Sequence, residues 1–413
     1  MALIVQKYGG TSVGDLDKIK KVALRVAHYR ERGHDLIVVV SAMGKTTDEL
    51  ISLAKQVNPR PSPRELDMLT TTGEQKSAAL LALQLQALGI PAKSFVQHQI
   101  GIITDGRYTN ARIVEVRPER ILNAVKEGMV AVVAGFMGTT PDGEITTLGR
   151  GGSDTTAVAI AAAVGAKEAE IFTDTEGVYT TDPHLIPEAQ KIPYIGYDQM
   201  LELAALGAKV LHPRAVWYAK RYGVRLHVRS SFSYNPGTIV SEEGSMKLLR
   251  PVTGVAVDLD QAEIGLINIP DQPGVAARVF EALAQAGVAV DMIIQGVPGH
   301  DESRTQMSFT VPKDYVEDAV DALKPLLAEL GGELTVNPNI AKLSIVGVQL
   351  ASTPGIPAKM FRAVAGVGAN IHMIATSQVR VSVIIDDKYA ESALRAVHSA
   401  FELDKPLPEE DGL

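Results

Sequence analysis

Residues 271–295 (DQPGVAARVFEALAQAGVAVDMIIQ) and 352–376 (STPGIPAKMFRAVAGVGANIHMIAT) repeat one pattern at an offset of 81, with nine of 25 positions identical. Average residue frequencies would give about two. Each copy reads as strand, tight Pro-Gly turn, helix, glycine, strand. A β-rich run follows each copy (Met307–Val311 and Val379–Ile385), then a second helical pattern (Lys313–Leu330 and Asp387–Leu403). Repeats of this length fold as one supersecondary unit per copy. The chain therefore carries two βαββαβ modules of roughly 80 residues each, on the split βαβ plan. Polar Glu242-Glu243-Gly244-Ser245 reads as the linker ahead of them, and Val252–Asp258 has the pattern to pair with either copy.

Residues 1–240 have a different texture. Short apolar runs at Leu3–Gln6, Leu36–Val40, Ala92–Val96, Met129–Ala134 and Ala169–Thr173 alternate with helical spacing over Lys18–Arg32, Gly73–Leu88 and Thr155–Val164. An unbroken apolar run such as Leu36–Val40 suits a strand buried on both faces. The alternation predicts an α/β domain, a parallel sheet covered by helices on both sides in three layers. Three prolines in 58–63 make a stiff loop. The expected division is 1–240, a linker and first strand at 241–262, α+β modules at 263–340 and 341–404, and a frayed tail at 405–413.

Composition narrows the function. Forty basic against 48 acidic side chains leave a net charge of −8, a poor match for a phosphate backbone, so no nucleic-acid partner is expected. There is no cysteine, which excludes disulfides, thiolate catalysis and Cys-bound metal. The nine histidines show no metal-ligand spacing, so no metal site built by the protein is expected. No stretch reaches the roughly 20 apolar residues of a membrane span. The start, MALIVQKYGG, turns polar too early for a signal peptide, so the cytoplasm is the expected location.

Several short motifs sit where strands should end. Lys7-Tyr8-Gly9-Gly10-Thr11-Ser12 follows the first run; two glycines let backbone amides approach an anion and the lysine adds a point charge. Leu148-Gly149-Arg150-Gly151-Gly152-Ser153-Asp154 opens an alanine-rich helix, whose N-terminus favours phosphate or carboxylate. Arg150 can hold a carboxylate through two parallel bonds. Asp154 has two readings, a reacting-centre residue or the N-cap of that helix. Ser41-Ala42-Met43-Gly44 with Thr46-Thr47-Asp48 follows a buried strand, and the hydroxyls either hold an anionic substrate or cap the next helix. Glu74 lies at a helix start. Phe172-Thr173-Asp174-Thr175-Glu176-Gly177-Val178-Tyr179 and Thr181-Asp182-Pro183 follow another strand. Gly207-Ala208-Lys209-Val210-Leu211-His212-Pro213 adds a lysine. The pattern G-x-x-x-x-G-K-[ST] is absent, so this is not an ordinary P-loop enzyme.

In this order, KYGGTS, SAMG with TTDEL, TTGE, TTLGRGGSDTTA, TDTEGVYTTDP and GAKVLHPRA closely resemble the aspartate kinases, along nearly the whole chain. The resemblance implies an amino-acid kinase domain of the carbamate-kinase type followed by two ferredoxin-like ACT domains. It implies ATP-dependent phosphorylation of the L-aspartate β-carboxylate, with Mg²⁺ arriving on the nucleotide. Lys7 would face the transferring phosphoryl group and Asp154 would organise the reacting centre. Tyr8, Gly9, Gly10, Thr173, Asp174, Tyr179, Asp182, Lys209 and Val210 would line the ATP site. Arg150 would hold the substrate α-carboxylate and Glu74 its ammonium. Ser41, Thr47, Gly151, Gly152 and Ser153 would place the β-carboxylate. In the modules, Asp271, Gly274, Val275, Ala276, Asp291 and Gln295, with Asn370, Ile371 and Ser377, would line sites for threonine and/or lysine as inhibitors. Tyr8 stands where phenylalanine is common, and Gln378 where glutamate is common. The assembly expected is a homodimer, or an α₂β₂ form whose small subunit starts at Met246. A kinase for another amino acid and an inactive ACT-domain sensor are the alternatives.

Overall fold

The computed structural model describes residues 2–206, 210–245, 250–296 and 303–406. Contacts divide the chain into two units, Met1–Tyr179 with Lys191–Leu249, and Thr180–Gln190 with Arg250–Leu413. Residues 180–190 thus group with the second unit although both neighbours in sequence belong to the first. The expectations for Lys209, for a start at Met246 and for residues 407–413 of the tail lie outside the described residues.

In the first unit, β1 (Leu3–Tyr8), β2 (Asp35–Val40), β3 (Ala92–Phe95), β4 (Val130–Ala134), β5 (Glu168–Thr173), β6 (Tyr194–Ile195), β7 (Arg225–Ser230) and β8 (Thr238–Val240) form one sheet. Its order is β6-β8-β7-β5-β1-β2-β4-β3. Only β7 and β8 pair antiparallel; the other pairs are parallel. Leu36 to Val40 and Val130 to Ala134 are wholly buried, as expected of strands covered on both faces. Helices α1 (Leu16–Glu31) and α3 (Thr72–Ala87) pack together on one side, α4 (Gly152–Ala163) and α5 (Pro213–Tyr222) on the other. The three-layer α/β architecture is the one the alternation predicts. Between β2 and α3 lie the helices Thr46–Val57 and α2 (Pro63–Thr70), the second starting where the stiff loop ends, with Pro63 at a position that needs no N–H donor. A smaller four-stranded sheet is built from Ile102–Thr104, Ile113–Val116, Met137–Thr139 and Ile145–Thr147.

Side chains alternate along β1. Gln6 and Tyr8 point to the α1 side, Lys7 to the α4 side. Gln6 faces Glu170 in register and donates to it at 2.8 Å. Tyr29 and Arg229 donate to the other oxygen of the same carboxylate, at 2.8 and 2.9 Å. A buried carboxylate is tolerated when its lone pairs are filled in this way. The network locks β1, β5, β7 and α1 into one register.

The second unit contains both modules. The first consists of β10 (Gln261–Pro270), α6 (Val275–Gln285), β11 (Ile293–Gln295), β12 (Arg304–Pro312), α7 (Val316–Leu330) and β13 (Glu333–Asn337), in sheet order β11-β12-β10-β13. The second consists of β14 (Ile340–Gly347), α8 (Ile356–Gly366), β15 (Met373–Thr376), β16 (Arg380–Asp386) and α9 (Ala390–Ala400). Its fourth strand is β9 (Val252–Asp258), in the order β9-β14-β16-β15. All these pairs are antiparallel. Val252–Asp258 therefore joins the second copy, in the place β13 holds in the first.

The repeat is visible residue by residue. Left-handed backbone occurs at Asn268 and Gln349 (φ 58° and 53°), Gly274 and Gly355 (95° and 88°), and Gly287 and Gly368 (74° and 79°), each pair 81 apart. Val279, Leu283 and Phe309 fill one core, Met360, Val364 and Val383 the other. Ile186 of the 180–190 segment lies in the second core. There Thr180 shares a hydrogen bond with His398 Nε2 at 2.9 Å, and its carbonyl accepts from the Val255 amide at 2.7 Å. Asp291 of the first module reaches Lys342 of the second at 2.5 Å.

Candidate active site

The strands β5, β1, β2 and β4 end together. Tyr8 pairs with both Val40 and Phe172, and Val40 with Ala134. The loops that follow all begin at one edge, where open α/β sheets bind ligands. Lys7 Nζ lies 2.6 Å from Asp154 in the first turn of α4, and both are largely buried. The N-cap of α4 is Gly151, at φ 66°. The capping reading of Asp154 is thereby excluded, and its carboxylate is an ion partner of the lysine.

Backbone approaches backbone here. A Cβ on Gly10 would stand 2.9 Å from the Ala42 carbonyl oxygen, and Gly44 N donates to Gly10 O at 3.0 Å. The Gly9 amide is engaged, donating to Phe172 O at 3.2 Å. Of the two glycines expected to cradle phosphate, only Gly10 keeps an amide without a partner among the described residues. The Tyr8 side chain is wholly buried, stacked on Phe172 with centroids 4.6 Å apart. Burial pushes its pKa well above 10. Alternation along β1 takes that ring away from the Lys7 side, so only its backbone reaches the strand tip.

Glu74, in the first turn of α3, is 3 % exposed. One carboxylate oxygen accepts from the Ala42 amide at 3.0 Å, and Oε2 has no partner among the described residues. Burial raises its pKa to about 7, against the lowering effect of the Ala42 bond. The carboxylate lies against the loop after β2 because Gly73 lets α3 approach; a Cβ there would stand 2.9 Å from that of Ala42. Ser41 bonds Tyr8 O through its amide at 3.1 Å, and its carbonyl accepts from Ser77 Oγ at 2.7 Å. Thr47 lies in the first turn of the following helix. Gly152 and Ser153 are buried at the head of α4, with Ser153 against Gly135, which follows β4. Arg150 is exposed and makes no hydrogen bond or ion pair to another described residue.

On the other side of β1, Thr173 ends β5 and donates to Asp174 at 3.1 Å. Tyr179 pairs with Lys191 in a short antiparallel hairpin. Val210 is half-buried. Asp182 falls in the 180–190 segment, where it accepts from the His184 amide at 2.9 Å.

In the first module, Asp271, Gly274, Val275, Ala276 and Gln295 line a cavity of about 340 Å³. Asp291 does not line it; it pairs with Lys342 and lies 3.8 Å from Arg380. Asn370, Ile371 and Ser377 belong to the second module and do not line it either.

Among the described residues, the only cluster with metal-ligand spacing is Glu168, Glu170 and His227. Arg225, Arg229, Gln6 and Tyr29 already occupy its carboxylates, so it does not fit a cation. Sequence reasoning missed Gly135, and it missed Ala42 as the holder of Glu74. It also missed His212, whose side chain packs so close to Gly151 that a Cβ there would meet the His212 Cβ at 2.1 Å and the ring at 2.2 Å. The signal for His212 was present in the His-Pro pair, since histidine caps α5 and proline follows it.

Residues 2–230 match the amino acid kinase family, and residues 267–325 and 343–401 match the ACT domain. An aspartokinase of Thermus thermophilus is 75% identical over 405 residues, 98% of this chain and 100% of that protein. The structure of Escherichia coli aspartokinase III with aspartate and ADP superposes with a TM-score of 0.81 at 25% identity, covering 96% of this chain and 99% of that one. The same enzyme with lysine and aspartate gives 0.74 at 26%, covering 97% and 99%. No helix among the described residues is long and apolar enough to cross a membrane.

Proposed function

Because the chain belongs to the amino acid kinase family, and within it to the aspartokinases with paired ACT domains, we propose that it transfers the γ-phosphoryl group of ATP to the β-carboxylate of L-aspartate, giving 4-phospho-L-aspartate and ADP. In this reading the reaction runs in the cytoplasm and opens the synthesis of lysine, threonine and methionine.

A carboxylate oxygen of aspartate attacks the γ-phosphorus as the bond to the ADP oxygen breaks. With a reference pKa of about 3.9 the nucleophile is already ionised and needs no general base. What remains is alignment and positive charge against the transferring group. Lys7 supplies the charge, and Asp154 holds its ammonium in place until the nucleotide arrives. Magnesium, carried by the nucleotide, neutralises phosphate charge when bound. Gly10, Thr173, Asp174, Tyr179, Lys209 and Val210 hold the nucleotide. Arg150 takes the α-carboxylate and Glu74 the ammonium, while Ser41, Thr47 and Ser153, with the Gly151 and Gly152 amides, place the reacting carboxylate.

The observation that carries this reading is Glu74, a buried carboxylate with one oxygen unpartnered at the edge where Lys7 and Asp154 meet. An amino acid's ammonium completes it, and that contact returns its pKa toward the ordinary range. A hydroxamate assay for acyl phosphate, run with aspartate and with glutamate, tests the reaction. Product is expected with aspartate only; no product with either rejects it, and product with glutamate alone changes the substrate.

Regulation belongs to the same proposal. Threonine, or lysine, binds in the cavity lined by Asp271 through Ala276 and Gln295, where amides at the head of α6 face a carboxylate. The lysine complex of E. coli aspartokinase III supports an amino-acid effector. Calorimetry with each amino acid is expected to give heat for at least one; none, with no inhibition, removes the effector site. The assembly is a homodimer or an α₂β₂ form with a small subunit begun at Met246. Mass spectrometry of natively expressed protein separates the two.

A further inference from the structure

We infer that Asp67 is a positioning residue for substrate recognition, acting through the loop that carries Arg150. Asp67 lies on α2, is 1 % exposed, and its side-chain hydrogen bonds go to none of the residues assigned to substrate or nucleotide. Its Oδ2 accepts from the Thr109 amide at 2.8 Å and the Thr147 amide at 2.9 Å. Its Oδ1 accepts from the Thr147 hydroxyl at 2.8 Å. Thr147 stands three residues before Arg150. Thr109 is one of the few non-glycine residues with left-handed backbone, at φ 65°. Its carbonyl lies 3.0 Å from where a Cβ on Gly149 would be. One buried carboxylate therefore fixes both segments of the stem that presents Arg150, the end of the Ile145–Thr147 strand and the turn at Thr109 packed against Gly149.

The opposite side of the stem is held by Arg214. It donates to Leu148 O at 2.6 Å, to Ala111 O at 3.2 Å and to the Asn110 side chain. The stem is thus fixed on two sides, while the Arg150 guanidinium has no partner of its own among the described residues. A buried carboxylate that faces three donors and no cation is costly to ionise, and burial does raise the Asp67 pKa. Loop geometry accounts for its being there, because a guanidinium that must meet a planar carboxylate through two bonds tolerates little misplacement.

The inference rests on the assignment of Arg150 to the substrate carboxylate, and the test separates the two. In the full-length enzyme, Asp67→Ala, Asp67→Asn, Thr147→Val and Arg150→Ala are compared by steady-state kinetics against aspartate and against ATP. Asp67→Ala is expected to raise the KM for aspartate at least tenfold with the KM for ATP within twofold. Asp67→Asn keeps an oxygen for the two amides and an NH₂ for the Thr147 hydroxyl, so its aspartate KM should stay within threefold. Thr147→Val removes one bond only and should raise the aspartate KM three- to fivefold. It also decides the matter where Asp67→Ala fails to fold. An aspartate KM unchanged in Thr147→Val and Asp67→Ala, while Arg150→Ala raises it, overturns the inference alone. An unchanged aspartate KM in Arg150→Ala overturns the assignment beneath it. Equal rises in both KM values mark Asp67 as a general fold residue and also overturn the inference.

Discussion

The strand tips of the first unit and the paired modules of the second solve opposite problems. At the strand tips, polar groups are left incomplete. Among the described residues, Glu74 keeps a bare oxygen, Gly10 a bare amide and Arg150 a bare guanidinium. In the modules, the same backbone turns recur at 81-residue spacing over two well-filled cores. A site that must receive charge forgoes internal pairing, whereas a duplicated scaffold keeps its stability in hydrocarbon. Chemistry and stability should therefore respond to different substitutions.

The largest expected break is Lys7→Ala. It should lower kcat about 10²–10³-fold, the usual cost of one preorganised electrostatic group. The KM for aspartate should barely move, while the loss of a buried ion partner for Asp154 should also lower the melting temperature. Kinetics dominated by an aspartate KM effect would reassign the lysine to substrate binding. The reverse break is Met360→Ala, a fully buried side chain in the second module. It should cost about 2–5 kcal/mol in stability, seen as an earlier denaturation midpoint, with uninhibited kcat unchanged at a temperature where the protein is folded. A parallel fall in kcat would show that the module core supports catalysis as well.

Glu74 sharpens the contrast through pH. Its pKa of about 7 in the free protein means that it holds a proton below neutrality. Only the ionised form pairs with an ammonium, so the KM for aspartate should fall as pH rises from 6 to 8, and Glu74→Gln should flatten that profile. The sign for stability is the opposite. A carboxylate whose pKa is raised on folding stabilises the fold while protonated and loses that contribution as pH rises through 7. Glu74→Gln should accordingly gain in melting temperature at pH 8 but not at pH 5. The smallest effects concern the repeat. Gly274→Ala and Gly355→Ala each place a Cβ in open space at positive φ, so each should cost about 1–2 kcal/mol from backbone strain alone. Matching costs support equivalence of the two turns, and only Gly274→Ala should also disturb effector binding.

Much of the scaffold was legible beforehand because its signals are local. Leu36–Val40 is apolar at every position, which forces burial on both faces. The second repeat copy could be aligned with the first by eye. The site was legible only as separate pieces. Lys7 and Asp154 stand far apart in sequence, and no spacing rule joins them; the pairing of β1 with β5 and the start of α4 do. Gln6 looks like an ordinary polar residue until Glu170 lies opposite it across the sheet. The Tyr8 assignment overlooked the alternation of β1, which buries that ring whenever Lys7 faces the site. The division of the chain was hardest to read, because Thr180–Gln190 and Val252–Asp258 take their places from partners remote in sequence.

The strand β9 has a consequence for how this protein can be cut. It comes before the first module yet completes the second, so the first is threaded through its sibling like an inserted clause. A scissor placed between the copies frees neither: the downstream piece loses a quarter of its sheet and exposes the edge of β14. Any shorter product able to stand alone must begin upstream of Val252, and gene rearrangements that shuffle one copy without the other should leave insoluble remnants.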